Sequence, residues 1–280
     1  MERIPFGISQ LDGLVGGGAP PGSVVLLAGE AGAGSREFMY TSAVMHALET
    51  ADKELFELYY GDLAPEATMP EEVHYISFTE GEPQLQEEIT AAMDTELAEP
   101  AVDEIEFVPL TDQYFHVSPV PRSWYAREAP DISNLRARSA DREDLLSALG
   151  ERLSRRAPGN LVVIDSVSNL IGAIDEDELT WADISYLITG LARAAYDWNG
   201  LILLHVNARA ISERRLGQLV DVCTGSMRFS WETGGSTRSR TLVVEQFRSV
   251  LSQIEEEDIV QFETELGDAG FDISDVRKIR

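Results

Sequence analysis

Short apolar runs alternate along this chain with longer stretches in which apolar positions recur every three to four residues. Ser23–Ala28 (SVVLLA), Val73–Phe78 (VHYISF), Leu161–Asp165 (LVVID) and Leu201–His205 (LILLH) read as buried strands. Between them lie helical patterns. Ser35–Glu49 puts Phe38, Thr41, Met45 and Leu48 on one face, Pro83–Met93 has helical spacing, Asp141–Arg156 aligns Leu145, Leu149 and Leu153, and Thr180–Trp198 aligns Trp181, Ile184, Ile188, Leu191 and Ala195. Strands that are apolar throughout and alternate with helices predict a parallel sheet covered on both faces. Beyond Val206 the pattern changes. Met227–Trp231, Thr241–Gln246 and Ile259–Thr264 alternate in type and are joined by turn-rich stretches, which predicts antiparallel strands extending the sheet. The expectation is one α/β domain over residues 1–280, with βα units first and a β-meander last. Two stretches read as insertions: the acidic, irregular Ala51–Glu72, and Thr111–Ser139, which carries Pro119, Pro121 and Pro130 among Tyr114, Phe115, Trp124 and Tyr125.

Charge narrows the classes of partner. The formal net charge is −27, and Lys53 and Lys278 are the only lysines. Nucleic acids and anionic membranes attract basic patches, so neither is an expected partner. The small clusters Arg214–Arg215 and Arg152, Arg155, Arg156 read as solvated helix faces or salt-bridge partners. An acidic, lysine-poor surface suits a salt-rich cytoplasm, where screening shortens to about 3 Å at molar salt and self-repulsion costs little. A halophilic, cytoplasmic protein is expected. Cys223 is the single cysteine, so no intrachain disulfide forms. His46, His74, His116 and His205 lack ligand spacing and read as ordinary surface or core histidines. No signal pattern opens the chain, and no apolar run approaches the ~20 residues that span a bilayer.

The chemistry-bearing segment follows the first strand. Gly29-Glu30-Ala31-Gly32-Ala33-Gly34-Ser35-Arg36 runs from that strand into a helix, the context of a G-x-x-x-x-G-K-[ST] phosphate loop. The glycines supply the backbone freedom for an N–H cradle that holds anions at a helix N-terminus. The lysine position holds Ser35 and the Mg²⁺-binding hydroxyl position holds Arg36. Ser35 brings no charge to a phosphate, and Arg36 cannot ligate Mg²⁺. Such a loop either still binds phosphate, weakly or without Mg²⁺, or is a turn that only joins strand to helix.

The lead-in to the loop sharpens the picture. Phe6-Gly7-Ile8-Ser9-Gln10-Leu11-Asp12-Gly13-Leu14, then Gly16-Gly17-Gly18 and Pro20-Pro21-Gly22-Ser23, resembles the stretch before the phosphate loop in KaiC-like members of the RecA superfamily, over about 30 residues. Val163-Ile164-Asp165-Ser166 is similar to the Walker B strand. Tyr75–Glu80 is similar to the strand ending in two water-activating glutamates, with Thr79 at the first position and Glu80 at the second, and Leu203–Asn207 to the strand carrying polar sensor groups. The pattern also resembles archaeal proteins of this group called HTR-like. The resemblance implies a RecA-like P-loop fold, ATP or ADP binding at Gly29–Arg36 and Asp165, Mg²⁺ at Asp165, Glu80 as a catalytic base, and assembly with itself or a related subunit into rings or filaments. Departures at Ser35, Arg36 and Thr79 fall on the positions most tied to Mg²⁺-ATP hydrolysis. The sequence therefore points to a weakly or non-hydrolysing nucleotide-binding protein with a regulatory, partner-binding role. An ATPase with unorthodox residues and an interaction module without nucleotide, contacting partners through Thr111–Ser139, remain the alternatives.

Overall fold

The computed structural model describes residues 2–116, 118–125, 145–173, 180–234, 237–247 and 259–278. Its elements are α1 (Ser9–Leu14), β1 (Ser23–Gly29), α2 (Ser35–Ala51), α3 (Lys53–Tyr59), β2 (Val73–Ser77), α4 (Glu82–Ala91), α5 (Thr95–Val102), β3 (Ile105–Pro109) and α6 (Thr111–Phe115), followed by α7 (Leu145–Arg156), β4 (Leu161–Asp165), α8 (Val167–Gly172), α9 (Trp181–Trp198), β5 (Leu201–Asn207), α10 (Glu213–Val222), β6 (Gly225–Gly234), β7 (Thr237–Phe247), β8 (Ile259–Gly267) and β9 (Gly270–Lys278). Among the described residues the strands form one sheet in the order β3-β2-β4-β5-β1-β6-β7-β8-β9. The α/β class, the mainly parallel sheet and the antiparallel C-terminal extension are as expected.

The alternation of side chains along each strand divides the interior into two cores. Val25, Leu27, Tyr75, Val163 and Leu203 pack on one face with Phe38, Leu48, Leu85 and Leu97 from α2, α4 and α5. Val24, Leu26, Ile76, Ile164 and Leu204 pack on the other with Leu149, Leu153, Ile188 and Leu216 from α7, α9 and α10. The helix α2 is buried around nearly its whole circumference from Phe38 to Leu48, because α5 and β9 pack against the sides that the sheet leaves open. A helix in that position carries apolar residues all round rather than in a stripe.

Several expectations need correction. Ala51–Glu72 is not irregular throughout: it contains α3, whose N-cap Asp52 accepts from the N–H groups of Glu54 and Leu55 at 3.1 Å each. The C-terminal extension is not antiparallel from its start. Its first strand, β6, runs parallel to β1, and antiparallel pairing begins with β7. The edge strand β3, helices α5 and α10, and the final strand β9 were not anticipated. Thr111–Ser139 holds the short helix α6 and a turn of 3₁₀ helix at Arg122–Trp124, while residues 126–139, and the first residues of the helix expected over Asp141–Arg156, lie outside the described residues. Among the described residues no helix is long and apolar enough to cross a membrane.

The lead-in segment has a structural role. The buried Asp12 carboxylate accepts from the N–H of Phe6 at 2.7 Å, the N–H of Gly7 at 3.0 Å and the Tyr60 hydroxyl at 3.1 Å. Burial pushes its pKa up to about 7, against the pull of those three donors. The segment thereby becomes a fixed bracket ahead of β1, with Phe6 packed against Phe38 of α2 at 6.1 Å between ring centroids.

Candidate functional site

The parallel register brings four strand ends together. Gly29 pairs with Asn207, Leu27 with His205, and Ser77 with Asp165. In an open parallel sheet the carboxyl ends of the strands are the ligand edge. Here that edge is an open cleft of about 290 Å³ lined by Gly29, Glu30, Ala31, Gly32, Gly34, Ser35, Arg36, Glu37, His205 and Asn207. The loop expected from sequence is therefore at the cleft, and Asp165 lies beneath it.

The loop is fixed from both sides. The N–H of Glu30 donates to Phe229 O at 2.9 Å, and the N–H of Ala33 donates to Glu30 O at 3.0 Å. Two loop carbonyls are occupied by donors from the extension: Trp231 Nε1 reaches Ala31 O at 3.1 Å, and Arg240 Nε reaches Gly32 O at 3.0 Å. Arg238 and Arg240 stack on the Trp231 ring at 3.9 and 4.6 Å from its centroid. Gly34 is the N-cap of α2 with φ 105°, and a Cβ there would come 3.0 Å from the Phe271 ring. Only glycine meets both conditions at low cost. The first N–H groups of α2 have no intrahelical acceptor and lie at the positive end of its dipole.

Under the loop Asp165 anchors a charged network. Arg36 Nε lies 3.2 Å from Asp165 Oδ2, and its terminal nitrogens lie 3.8 Å from Glu88 and 4.0 Å from Glu80. Tyr75 donates its hydroxyl to Asp165 Oδ2 at 3.0 Å, and His205 Nδ1 lies 3.1 Å from Asp165 Oδ1. Burial raises the Asp165 pKa, but the hydrogen bond from His205, the Arg36 guanidinium and the Tyr75 hydroxyl outweigh it and hold the carboxyl below its ordinary range. Burial works against the Arg36 charge, but Asp165, Tyr40, Tyr75 and Glu80 together more than restore it, so the guanidinium stays protonated. His205 Nε2 lies 3.1 Å from Ser35 Oγ.

Glu80, the expected base, follows β2. Its carboxylate accepts from Ser77 Oγ and Thr79 Oγ1 at 2.8 Å each, and Asn169 Nδ2 donates to Thr79 Oγ1 at 3.0 Å. Lys53 opens the separate helix α3.

Sequence reasoning brought the loop, Asp165, Glu80 and the His205 strand end to one place. It missed Tyr75, Glu88, Trp231 and Arg240. Strand alternation places Tyr75 on the α2 face, but nothing local in the sequence announces that Trp231 and Arg240 would reach the loop from some 200 residues away. The other described histidine cluster lies at the opposite edge of the sheet. His74 lies 3.1 Å from Glu72 and 3.0 Å from Glu106, and Glu106 also pairs with Arg156. These three residues are spaced closely enough to hold a cation, although an arginine already serves the cluster.

No protein-family model matches the chain, and no curated protein matches it. Among solved structures, the fold is similar to that of the KaiC-like protein PH0186 from the hyperthermophilic archaeon Pyrococcus horikoshii OT3. The TM-score is 0.59 at 19% identity, over 98% of this chain and 99% of that one. The chain thus shares the overall fold of that KaiC-like protein.

Proposed function

We propose that the Gly29–Arg36 loop binds the phosphates of ATP or ADP, with the Arg36 guanidinium in the place of Mg²⁺, and that the protein hydrolyses nucleotide weakly or not at all. The observation that carries this reading is the Arg36 position. A fixed cation lies 3.2 Å from Asp165, the residue similar to a Walker B aspartate, with Glu80 and Glu88 around it. A metal ion approaching Asp165 would meet that guanidinium, and like charges in a partly buried site repel strongly. A fixed loop, free first-turn N–H groups and a cleft at the ligand edge support phosphate binding. A binding protein without turnover acts by changing its contacts, so a regulatory role through a second copy or a related subunit follows from the same reading.

Calorimetric titration with ATP and ADP, in molar KCl with and without Mg²⁺, tests it. Binding in the micromolar range, about −8 kcal/mol, is expected and should not depend on Mg²⁺. Gly32→Asp should abolish it. That position has room, with the Trp231 ring 3.8 Å from an added Cβ, and its φ of 71° is one that aspartate tolerates. Absence of heat at millimolar nucleotide would sink the binding claim, and Mg²⁺-dependent phosphate release would sink the claim of weak hydrolysis.

A further inference from the structure

Side chains from the ends of β4 and β5 and from the first residue of α2 form a continuous hydrogen-bonded relay. Ser35 Oγ lies 3.1 Å from His205 Nε2, and His205 Nδ1 lies 3.1 Å from Asp165 Oδ1. Asp165 is ionised, so it accepts the Nδ1 proton and leaves Nε2 free to accept from the Ser35 hydroxyl. That is the tautomer a general base needs. The relay is built rather than incidental. A Cβ at Gly29 would overlap Ser35 Oγ and stand 3.9 Å from His205 Nε2, so glycine at the end of β1 is what lets the hydroxyl reach the imidazole. Tyr75 and Arg36 hold the second Asp165 oxygen and fix the carboxylate's orientation. Ser35 and His205 line the cleft with only 5% and 9% of their surface exposed, and Asp165 is 1% exposed beneath them.

The surroundings supply the remaining part. Ser35 opens a 17-residue helix after the Glu30–Gly34 loop that follows the buried parallel strand β1. The N–H of the residue after it belongs to the first turn of α2, where donors have no intrahelical acceptor. Strand, glycine loop, serine, then helix N-terminus places a hydroxyl beside amides that can stabilise an oxyanion. The chain order of serine, aspartate, histidine is also one in which catalytic triads of these residues occur.

From this geometry we infer that Ser35 is a nucleophile activated by His205, with Asp165 as its positioning residue, and that it cleaves small acyl esters bound in the cleft. Ser35 Oγ attacks the ester carbonyl carbon as its proton passes to His205 Nε2, and the carbonyl electron pair moves to the oxygen facing the α2 amides. Collapse breaks the bond to the leaving oxygen, which takes the proton from His205 and departs as an alcohol. Water then attacks the acyl-Ser35 with His205 as base, releasing the carboxylic acid and restoring the hydroxyl. A cleft of about 290 Å³ limits the acyl group to a short one. The inference does not depend on nucleotide binding.

The test uses the full chain with a fluorophosphonate probe, whose phosphorus is attacked as fluoride leaves, and with p-nitrophenyl acetate. One label per chain is expected, located on the peptide carrying Ser35 by mass spectrometry. Ser35→Ala should lose it entirely, and His205→Gln should slow both labelling and ester cleavage by about 100-fold or more. Absence of label on protein folded by circular dichroism would overturn the inference, as would equal labelling of Ser35→Ala. If His205→Gln does not fold, Ser35→Ala decides the question alone, because deleting one hydroxyl leaves the fold in place. A serine that merely satisfies a core histidine gives no covalent adduct.

Discussion

The same sheet carries a histidine, carboxylates and an arginine at both ends, and the two groups are built differently. At the amino edge, His74 lies between Glu72 and Glu106, and Arg156 pairs with Glu106. The two carboxylates there are 66% and 46% exposed, so water screens them. At the carboxyl edge, the carboxylate between His205 and Arg36 is 1% exposed, and a hydroxyl and a helix N-terminus complete the group. Residue types are nearly the same. Position decides what they can do, because a parallel sheet turns its strand ends and the following helix N-termini toward one edge only.

The largest test of this contrast is stability on losing one carboxylate. Asp165→Ala strands the Tyr75 hydroxyl and His205 Nδ1 in a buried site and leaves the half-exposed Arg36 charge without its nearest carboxylate. Breaking a buried pair from one side costs about 3–5 kcal/mol. Glu106→Ala removes an exposed partner from Arg156 and His74, a change of about 1 kcal/mol or less. Urea unfolding of the two variants at neutral pH measures both, and equal losses would mean that the edges do not differ in the way burial implies.

Acid titration tests the amino edge next. His74 has a pKa lowered from 6.5 because desolvation outweighs the attraction of Glu106 and Glu72, with Arg156 adding to the lowering. A histidine depressed in the folded state binds its proton more readily when unfolded, so below about pH 6.5 its contribution to stability is lost as the pH falls toward the folded pKa. The Tm of the native chain should therefore fall more steeply from pH 7 to 5 than that of His74→Gln. The difference converts at about 2–4 °C per kcal/mol in a chain of this size. Parallel curves would show that the exposed glutamates compensate for the burial.

Much of this contrast was legible in the sequence, and the limits have physical causes. Strands β1, β2, β4 and β5 are apolar throughout and announce themselves, and the glycine loop fixes where the ligand edge lies. The edge strand β3 does not announce itself. It is short, half its outward face is exposed, as at Glu106, and it ends in Pro109, which an edge position tolerates. The parallel pairing of β6 with β1 was hidden because alternation reports which faces are buried, not the direction of the neighbour. At the site, the loop and Asp165 were readable from local pattern. The engagement of Arg36 with Asp165 was not, since it joins side chains 129 residues apart.

The smallest expected effect separates stability from binding. Arg209 pairs with Glu30 of the loop at 3.0 Å and is 73% exposed, and Arg155 pairs with Glu151 on α7 at 62% exposure. Both are surface bridges, so Arg209→Ala and Arg155→Ala should each change unfolding free energy by no more than about 0.5–1 kcal/mol. Their effects on nucleotide should diverge. Without Arg209, the Glu30 carboxylate stands unneutralised in the lining of the phosphate cleft and repels an anion entering it. At exposed positions that repulsion is screened, so the loss should be modest, about two- to fivefold in Kd at 0.1 M salt and smaller in molar KCl. Arg155→Ala, on a helix remote from the loop, should leave Kd unchanged. A salt-dependent weakening confined to Arg209→Ala would locate the bound phosphate charge beside Glu30, and equal Kd values in both variants would place it elsewhere.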